Sequence, residues 1–151
     1  MSDASGETGE PRTLILTGAS RGIGHATVRR FSEAGWRIIT CSRDEVPEAC
    51  QYDPNWAHHI PTDLGDEKDL AAFIAEANEH IGENGLAALV NNAAVSPKTP
   101  YKERLGCLNG DEEAWCEVFE LNFFVPLKLC RGFAAALHRG KGAVVNITSI
   151  A

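Results

Sequence analysis

The sequence predicts an α/β domain built on a doubly wound parallel sheet, and three observations carry that expectation. Short apolar, β-branched runs alternate along the chain with stretches of helical periodicity. The first such run breaks at a glycine-rich turn that leads straight into a helix. The expected strands end in small, polar or charged residues, whereas their bodies are apolar. At 151 residues the chain is one domain at most, long enough to bury about two-thirds of its surface.

Leu14-Ile15-Leu16 is the first strand, and Thr17-Gly18-Ala19-Ser20-Arg21-Gly22-Ile23-Gly24 is the turn that follows. Ile23, Ala26, Thr27, Phe31 and Ala34 then recur three and four apart, with Arg29, Arg30 and Glu33 on the other face. Gly35 stands where a left-handed helix end favours a residue without Cβ. Trp36 to Cys41 reads as a second strand, and residues 44–56 are polar, proline-bearing and irregular. Ala57 to Pro61 is a brief third strand that ends at Thr62-Asp63. Asp66 reads as the N-cap of a helix whose apolar face is Leu70, Phe73, Ile74, Ala77 and Ile81, ended by Gly82 and Gly85. Leu86 to Val90 is a fourth strand, apolar throughout as a strand buried on both faces should be. A loop from Val95 to Gly110 precedes one long helix, Asp111 to about His138, and Ala143 to Thr148 is a fifth strand. Right-handed crossovers then place all five strand ends on one rim, where such sheets bind ligands.

Chemistry concentrates on that rim. A glycine turn opening a helix offers unpaired N–H groups and a positive dipole end to a diphosphate, although an ordinary tight turn would also use these glycines. A net charge of −7 and a pI near 5.2 argue against a nucleic-acid or anionic-membrane surface. No stretch is long and apolar enough to span a bilayer. The polar start lacks a signal-peptide core, so residues 1–11 read as a disordered tail ahead of a domain at 12–151. Five cysteines without a C-x-x-C pair suit reduced thiols and a cytoplasmic location. The histidines form no metal pattern; adjacent His58 and His59 point to opposite faces of a strand, and no metal site is expected.

T-G-x-x-x-G-x-G at Thr17 to Gly24, Asp63, N-N-A-A at Asn91 to Ala94, Asn122, and Ser149 after I-T together resemble the short-chain dehydrogenase/reductase family. The resemblance covers residues from about 12 to the end. It implies a Rossmann-like doubly wound sheet, incomplete here, with about five strands in the order 3-2-1-4-5. It also implies an oxidoreductase that moves a hydride between NAD(P)(H) and a small-molecule alcohol or carbonyl. Carried over position by position, Thr17, Gly18, Ser20, Arg21, Gly22, Ile23 and Gly24 would hold the cofactor diphosphate. Asp63 would receive the adenine amino group, and Leu64 would flank the ring. Asn91 would tie neighbouring strands together, while Asn92, Ala93 and Ala94 would line the cleft, with Ala94 in place of the family's glycine. Ser149 would hydrogen-bond the substrate oxygen, or simply finish a strand.

Asn122 would contribute its main-chain carbonyl to a proton relay. It lies within an apolar stripe through Trp115, Val118, Phe119, Val125, Leu129 and Phe133, which predicts a buried amide. Pro126 has no N–H to give the carbonyl of residue 122 and should kink the helix there. The family's Y-x-x-x-K is absent: Tyr52 and Tyr101 are followed four later by Trp56 and Leu105. The 151 residues therefore read as an inactive amino-terminal piece of an enzyme; the alternative is a dinucleotide-binding or partner-binding protein without catalysis. Ser42 and Arg43 at the second strand's end, with Arg21 in the turn, favour a 2′-phosphate and hence NADP(H). Adjacent Asp44 keeps NAD(H) possible. The resemblance further implies a homo-oligomer through the long helix, and the last strand is expected at an uncovered sheet edge.

Overall fold

The computed structural model describes residues 10–149 apart from positions 97, 99–101, 105 and 107. Residues 1–9 of the expected tail lie outside the described residues, as do Tyr101 and Cys107. Five strands, β1 (Thr13–Thr17), β2 (Arg37–Ser42), β3 (Trp56–Pro61), β4 (Ala88–Asn91) and β5 (Ala143–Asn146), form one sheet in the order β3-β2-β1-β4-β5. Every pairing is parallel, so all five carboxyl ends face one rim.

Alternation along the strands builds the two cores. Leu14 and Leu16 of β1 pack with Val28 of α1 (Gly22–Glu33), Ile38, Trp56 and Val90 on one face. Ile15 points the other way, into a larger cluster with Phe73 and Ala77 of α2 (Glu67–His80), Leu129 of α4 (Val125–Gly132) and Ala136 of α5 (Ala134–Gly140). Central β1 is buried at every position, which is why its run carries no polar face. Asp66 caps α2 through its side chain, which accepts from the amides of Lys68 and Asp69 at 2.8 and 3.0 Å.

The expected single helix from Asp111 to His138 is instead three α-helices, the first two joined through a π turn. α3 spans Glu112–Phe119, a π turn spans Glu120–Phe124, and α4 and α5 are separated at Phe133, whose φ of −103° and ψ of 6° leave the helical region. The first interruption has a physical cause in Pro126, which cannot donate along the helix. The chain widens just before it, and the Val125 amide reaches back five residues to the Glu120 carbonyl. A π turn takes up the break that a simple kink was expected to make.

β5 forms the outer edge. Val144 and Val145 point to opposite faces yet remain 41 % and 44 % exposed, so neither face of this strand is covered among the described residues.

The rim is pinned where β1 meets β4. Thr17 Oγ1 accepts from the amides of Asn92 and Ala93 at 3.1 and 3.0 Å. The Asn92 carboxamide returns the bond, donating to the carbonyls of Thr17 and Gly18, each at 3.0 Å. Gly18 has a φ of +72°, and a side chain at Gly24 would overlap the Gly18 carbonyl oxygen and crowd the Asn92 amide. The helix can therefore start against the turn while position 24 is glycine. Gly24→Ala should lower unfolding free energy by about 1–3 kcal/mol, measurable as a shift in the urea midpoint; unchanged stability would contradict this packing.

A second cluster sits at the opposite edge. His58 of β3 stacks on His80 at the end of α2, with ring centroids 3.6 Å apart. Arg37 donates to the His80 carbonyl and lies 3.3 Å from His58 Nε2. Burial, followed by repulsion from His80 and Arg37, holds the His58 imidazole below its ordinary range, and Glu76 offsets part of this. Because the folded-state pKa is depressed, the unfolded chain takes up the proton first as pH falls. Stability is therefore expected to decline below about pH 6.5, down through the depressed folded value. Urea midpoints taken from about pH 7.5 to about 5.5 should fall less in His58→Asn than in the wild type; equal losses would contradict the assignment.

Candidate functional site: a cleft on the carboxyl rim of the sheet

One cleft of about 980 Å³ opens on the rim, at the upper end of the ~300–1,000 Å³ range of small-molecule sites. Of the residues expected to bind, Gly18, Ser20, Arg21, Ser42, Arg43, Asp63, Leu64, Asn92, Ala93 and Ala94 all line it. They come from four strand ends, brought together because the sheet is parallel and β1 lies between β2 and β4. Thr17, Gly22, Ile23, Gly24 and Asn91 do not line the cleft. Thr17 and Gly24 instead build the turn, and the close approach at Gly24 is to protein backbone, where the sequence suggested approach to a ligand.

The amino end of α1 has the character of an anion site. Arg21 occupies the N-cap with extended backbone and no capping side-chain bond, and the first turn carries no acid. Beyond its chain neighbours and its own helix, no atom lies within 4 Å of where a Gly22 Cβ would sit. Among the described residues neither Arg21 nor Arg43 is in an ion pair. The Asp44 carboxylate accepts from Ser20 Oγ at 3.3 Å on the same wall. The wall made by the glycine turn and the end of β2 thus holds two guanidinium groups and one carboxylate.

Asp63 Oδ1 accepts from the Gly65 amide at 3.0 Å, the turn-capping role open to any aspartate at this point. A carboxylate has a second oxygen, and Asp63 still lines the cleft beside buried Leu64. Asn91 is buried, and its amide donates to Asn146 Oδ1 of β5 at 2.8 Å, tying β4 to β5. Its own Oδ1 is buried without a partner among the described residues.

Asn122 is not buried within an apolar stripe. It is exposed on the π turn together with Phe119, whereas Val125, Leu129 and Phe133 of the same stripe are buried in the core, because periodicity marks a face but not how far along it the cover extends. Its carboxamide is nonetheless doubly engaged: Oδ1 accepts from the Val95 amide, and Nδ2 donates to the Val95 carbonyl, both at 2.8 Å. Asn122 thereby holds the segment after Ala94 against the π turn. Ser149 is exposed three residues past β5, whose Asn146 pairs with Asn91. It stands on the same rim as the cleft without lining it.

Several lining residues escaped the sequence reading. Thr62 and Gly65 stand on either side of Asp63 and Leu64. Glu113, Cys116, Glu117 and Glu120 line the far wall at helical spacing. Their regular recurrence is the sequence signal for a second face of this helix, opposite in character to its apolar stripe. Four cysteines, Cys41, Cys50, Cys116 and Cys130, are free thiols, and burial pushes the Cys41 thiol well above its ordinary range. No group of metal-binding residues and no helix long and apolar enough to cross a membrane occurs among the described residues.

This arrangement has close parallels. The chain is 46 % identical over 146 residues to Protein FixR of Bradyrhizobium diazoefficiens, covering 96 % of this chain and 52 % of that protein. It is 32 % identical over 143 residues to the short-chain dehydrogenase ptmH of Penicillium ochrochloron, covering 94 % of this chain and 50 % of that one. The chain thus spans about half the length of these curated relatives. The crystal structure of an oxidoreductase of the short-chain dehydrogenase/reductase family from Brucella ovis, in complex with a partially ordered NAD, matches with a TM-score of 0.85. That match is 47 % identical and covers 93 % of this chain and 64 % of the other. A family profile described as short chain dehydrogenase spans residues 12–151, every element that builds the rim. The chain belongs to the short-chain dehydrogenase family.

Proposed function

We propose that this chain is the cofactor-binding part of a cytoplasmic NADP(H)-dependent oxidoreductase acting on a small alcohol or carbonyl compound. The observation that carries the reading is the single cleft joining the glycine turn to the ends of β2, β3 and β4. The uncapped amino end of α1, beside cleft-lining Arg21 and with open space at Gly22, supports a diphosphate there. When bound, the dinucleotide supplies the hydride chemistry.

The chain's own residues have distinct tasks in this reading. Asp63 accepts the adenine amino group through the carboxylate oxygen not used by Gly65, and Leu64 covers the ring. Arg21 and Arg43 meet a 2′-phosphate as charge-assisted donors. Ser149 donates to the substrate oxygen and polarises it. Asn122, through its grip on Val95, fixes the wall facing the nicotinamide side, and its main-chain carbonyl serves the proton relay. The Tyr and Lys that complete the family's catalytic group are not among these 151 residues, so turnover belongs to a longer protein and this chain alone is inactive. Exposed Phe119, Phe123 and Leu127 on the broken helix support association of the full-length protein as a homo-oligomer.

A second reading has one observation behind it. Asp44 reaches the same end of the cleft, and an acid there suits the ribose diol of NAD(H) and repels a 2′-phosphate. The Brucella ovis structure contains NAD. Titration with NADPH and NADH, followed by calorimetry, separates the two readings. NADPH should bind more tightly, and replacing both Arg21 and Arg43 by Ala should weaken it about 10–100-fold while changing NADH little. Tighter NADH binding by the wild type would overturn the NADP(H) choice, and binding of neither would overturn the dinucleotide reading.

A further inference from the structure

We propose that His59 is a positioning residue for cofactor discrimination, holding the backbone of Ser42, Arg43 and Asp44 in the shape that faces the adenosine ribose. The inference rests on the dinucleotide reading of the cleft. It begins with a register shift between β2 and β3 at Ile38 and Ile39, which brings Trp56 onto the same side of β3 as His59. Trp56 Nε1 is a donor without acceptor capacity, and it donates to buried Thr40 Oγ1 at 2.6 Å. Thr40 Oγ1 also lies 2.8 Å from His59 Nδ1, and a hydroxyl that accepts from the indole still has its own proton to donate. The tautomer is set at the other nitrogen: the Asp44 carbonyl only accepts, so Nε2 carries the imidazole proton and Nδ1 accepts from Thr40.

Nε2 lies 3.0 Å from the Asp44 carbonyl oxygen and 3.3 Å from Ser42 Oγ. Ser42 Oγ donates to the same Asp44 carbonyl at 2.7 Å. Two donors therefore converge on one carbonyl immediately after β2 and close the backbone around Arg43. The Asp44 side chain is fixed separately, through Ser20 on the glycine turn. The chain of bonds runs from a buried indole to the segment that carries both the cation and the acid nearest the ribose. Nothing in it touches the diphosphate or adenine positions, so its loss should change discrimination at the 2′ position more than binding as a whole.

The test compares NADPH and NADH dissociation constants in the wild type, His59→Leu and His59→Gln. Leu removes both bonds, whereas Gln keeps an amide donor for the Asp44 carbonyl. The ratio of the two constants should move about fivefold in His59→Leu, the worth of one hydrogen bond, and stay near the wild-type value in His59→Gln. Both constants rising together with an unchanged ratio would show a merely structural role and overturn the inference. A readout free of folding and of cofactor is the imidazole nitrogen spectrum of the wild type, which should report the Nε2–H tautomer; the Nδ1–H tautomer would overturn it. The ratio test holds whichever cofactor the wild type prefers. A wild type that binds neither dinucleotide would overturn the reading of the cleft, and with it this inference, even if the Nε2–H tautomer is present.

Discussion

The Asn92 carboxamide, donating at once to the Thr17 and Gly18 carbonyls, is the constraint on which the rest of the site depends. Those carbonyls sit where β1 ends and the chain must turn into a helix. Buried backbone acceptors need partners, and here a neighbouring strand end supplies them from one side chain. Thr17 returns the favour by accepting from two amides of the β4 extension. The exchange fixes the turn relative to Asn92, Ala93 and Ala94, and so fixes two walls of the cleft. The absence of a side chain at Gly24 lets α1 start against that turn.

The remaining walls follow from topology. A parallel sheet with β1 at its centre sends the ends of β2 and β3 to one side and of β4 and β5 to the other. Side-chain bonds then shape each end locally: Asp63 on Gly65, Asn91 on Asn146, Asn122 on Val95. None of these bonds is strong alone, about 1 kcal/mol each net. Together they keep polar groups facing inward around an anion-favouring helix end, in a chain whose net charge is −7. Local arrangement of donors decides what the cleft can hold, against the sign of the whole molecule.

Much of this was legible in the sequence because it depends on short-range patterns. The glycine turn between an apolar run and a helical stretch marks the strand-to-helix corner, and strand–helix alternation implies a shared rim. The helix from 111 to 138 was legible as helical but not as broken. Pro126 signals an interruption, yet whether the chain kinks or widens into a π turn depends on packing. Asn122 differs for a related reason: the stripe around it is buried at Val125, Leu129 and Phe133, past the π turn, but not at Phe119 or at Asn122 itself. The Trp56–Thr40–His59 network was invisible, since it requires a register shift that no alternation pattern encodes. Ser42 is legible as a cofactor-side residue at the end of β2, but the bond by which its hydroxyl helps to hold Asp44 is not.

The central claim is that a dinucleotide lies across the amino end of α1 and along the β4 end, with the rim at β5 beside the reacting carbon. Backbone amide shifts followed by NMR during NADPH addition test it most directly. The account predicts that Gly22, Ile23, Asn92 and Ala93 move together in one saturable event, with smaller shifts reaching Ser149. Shifts confined to the far edge around His58 and His80, or independent events at Gly22 and Asn92, would contradict it.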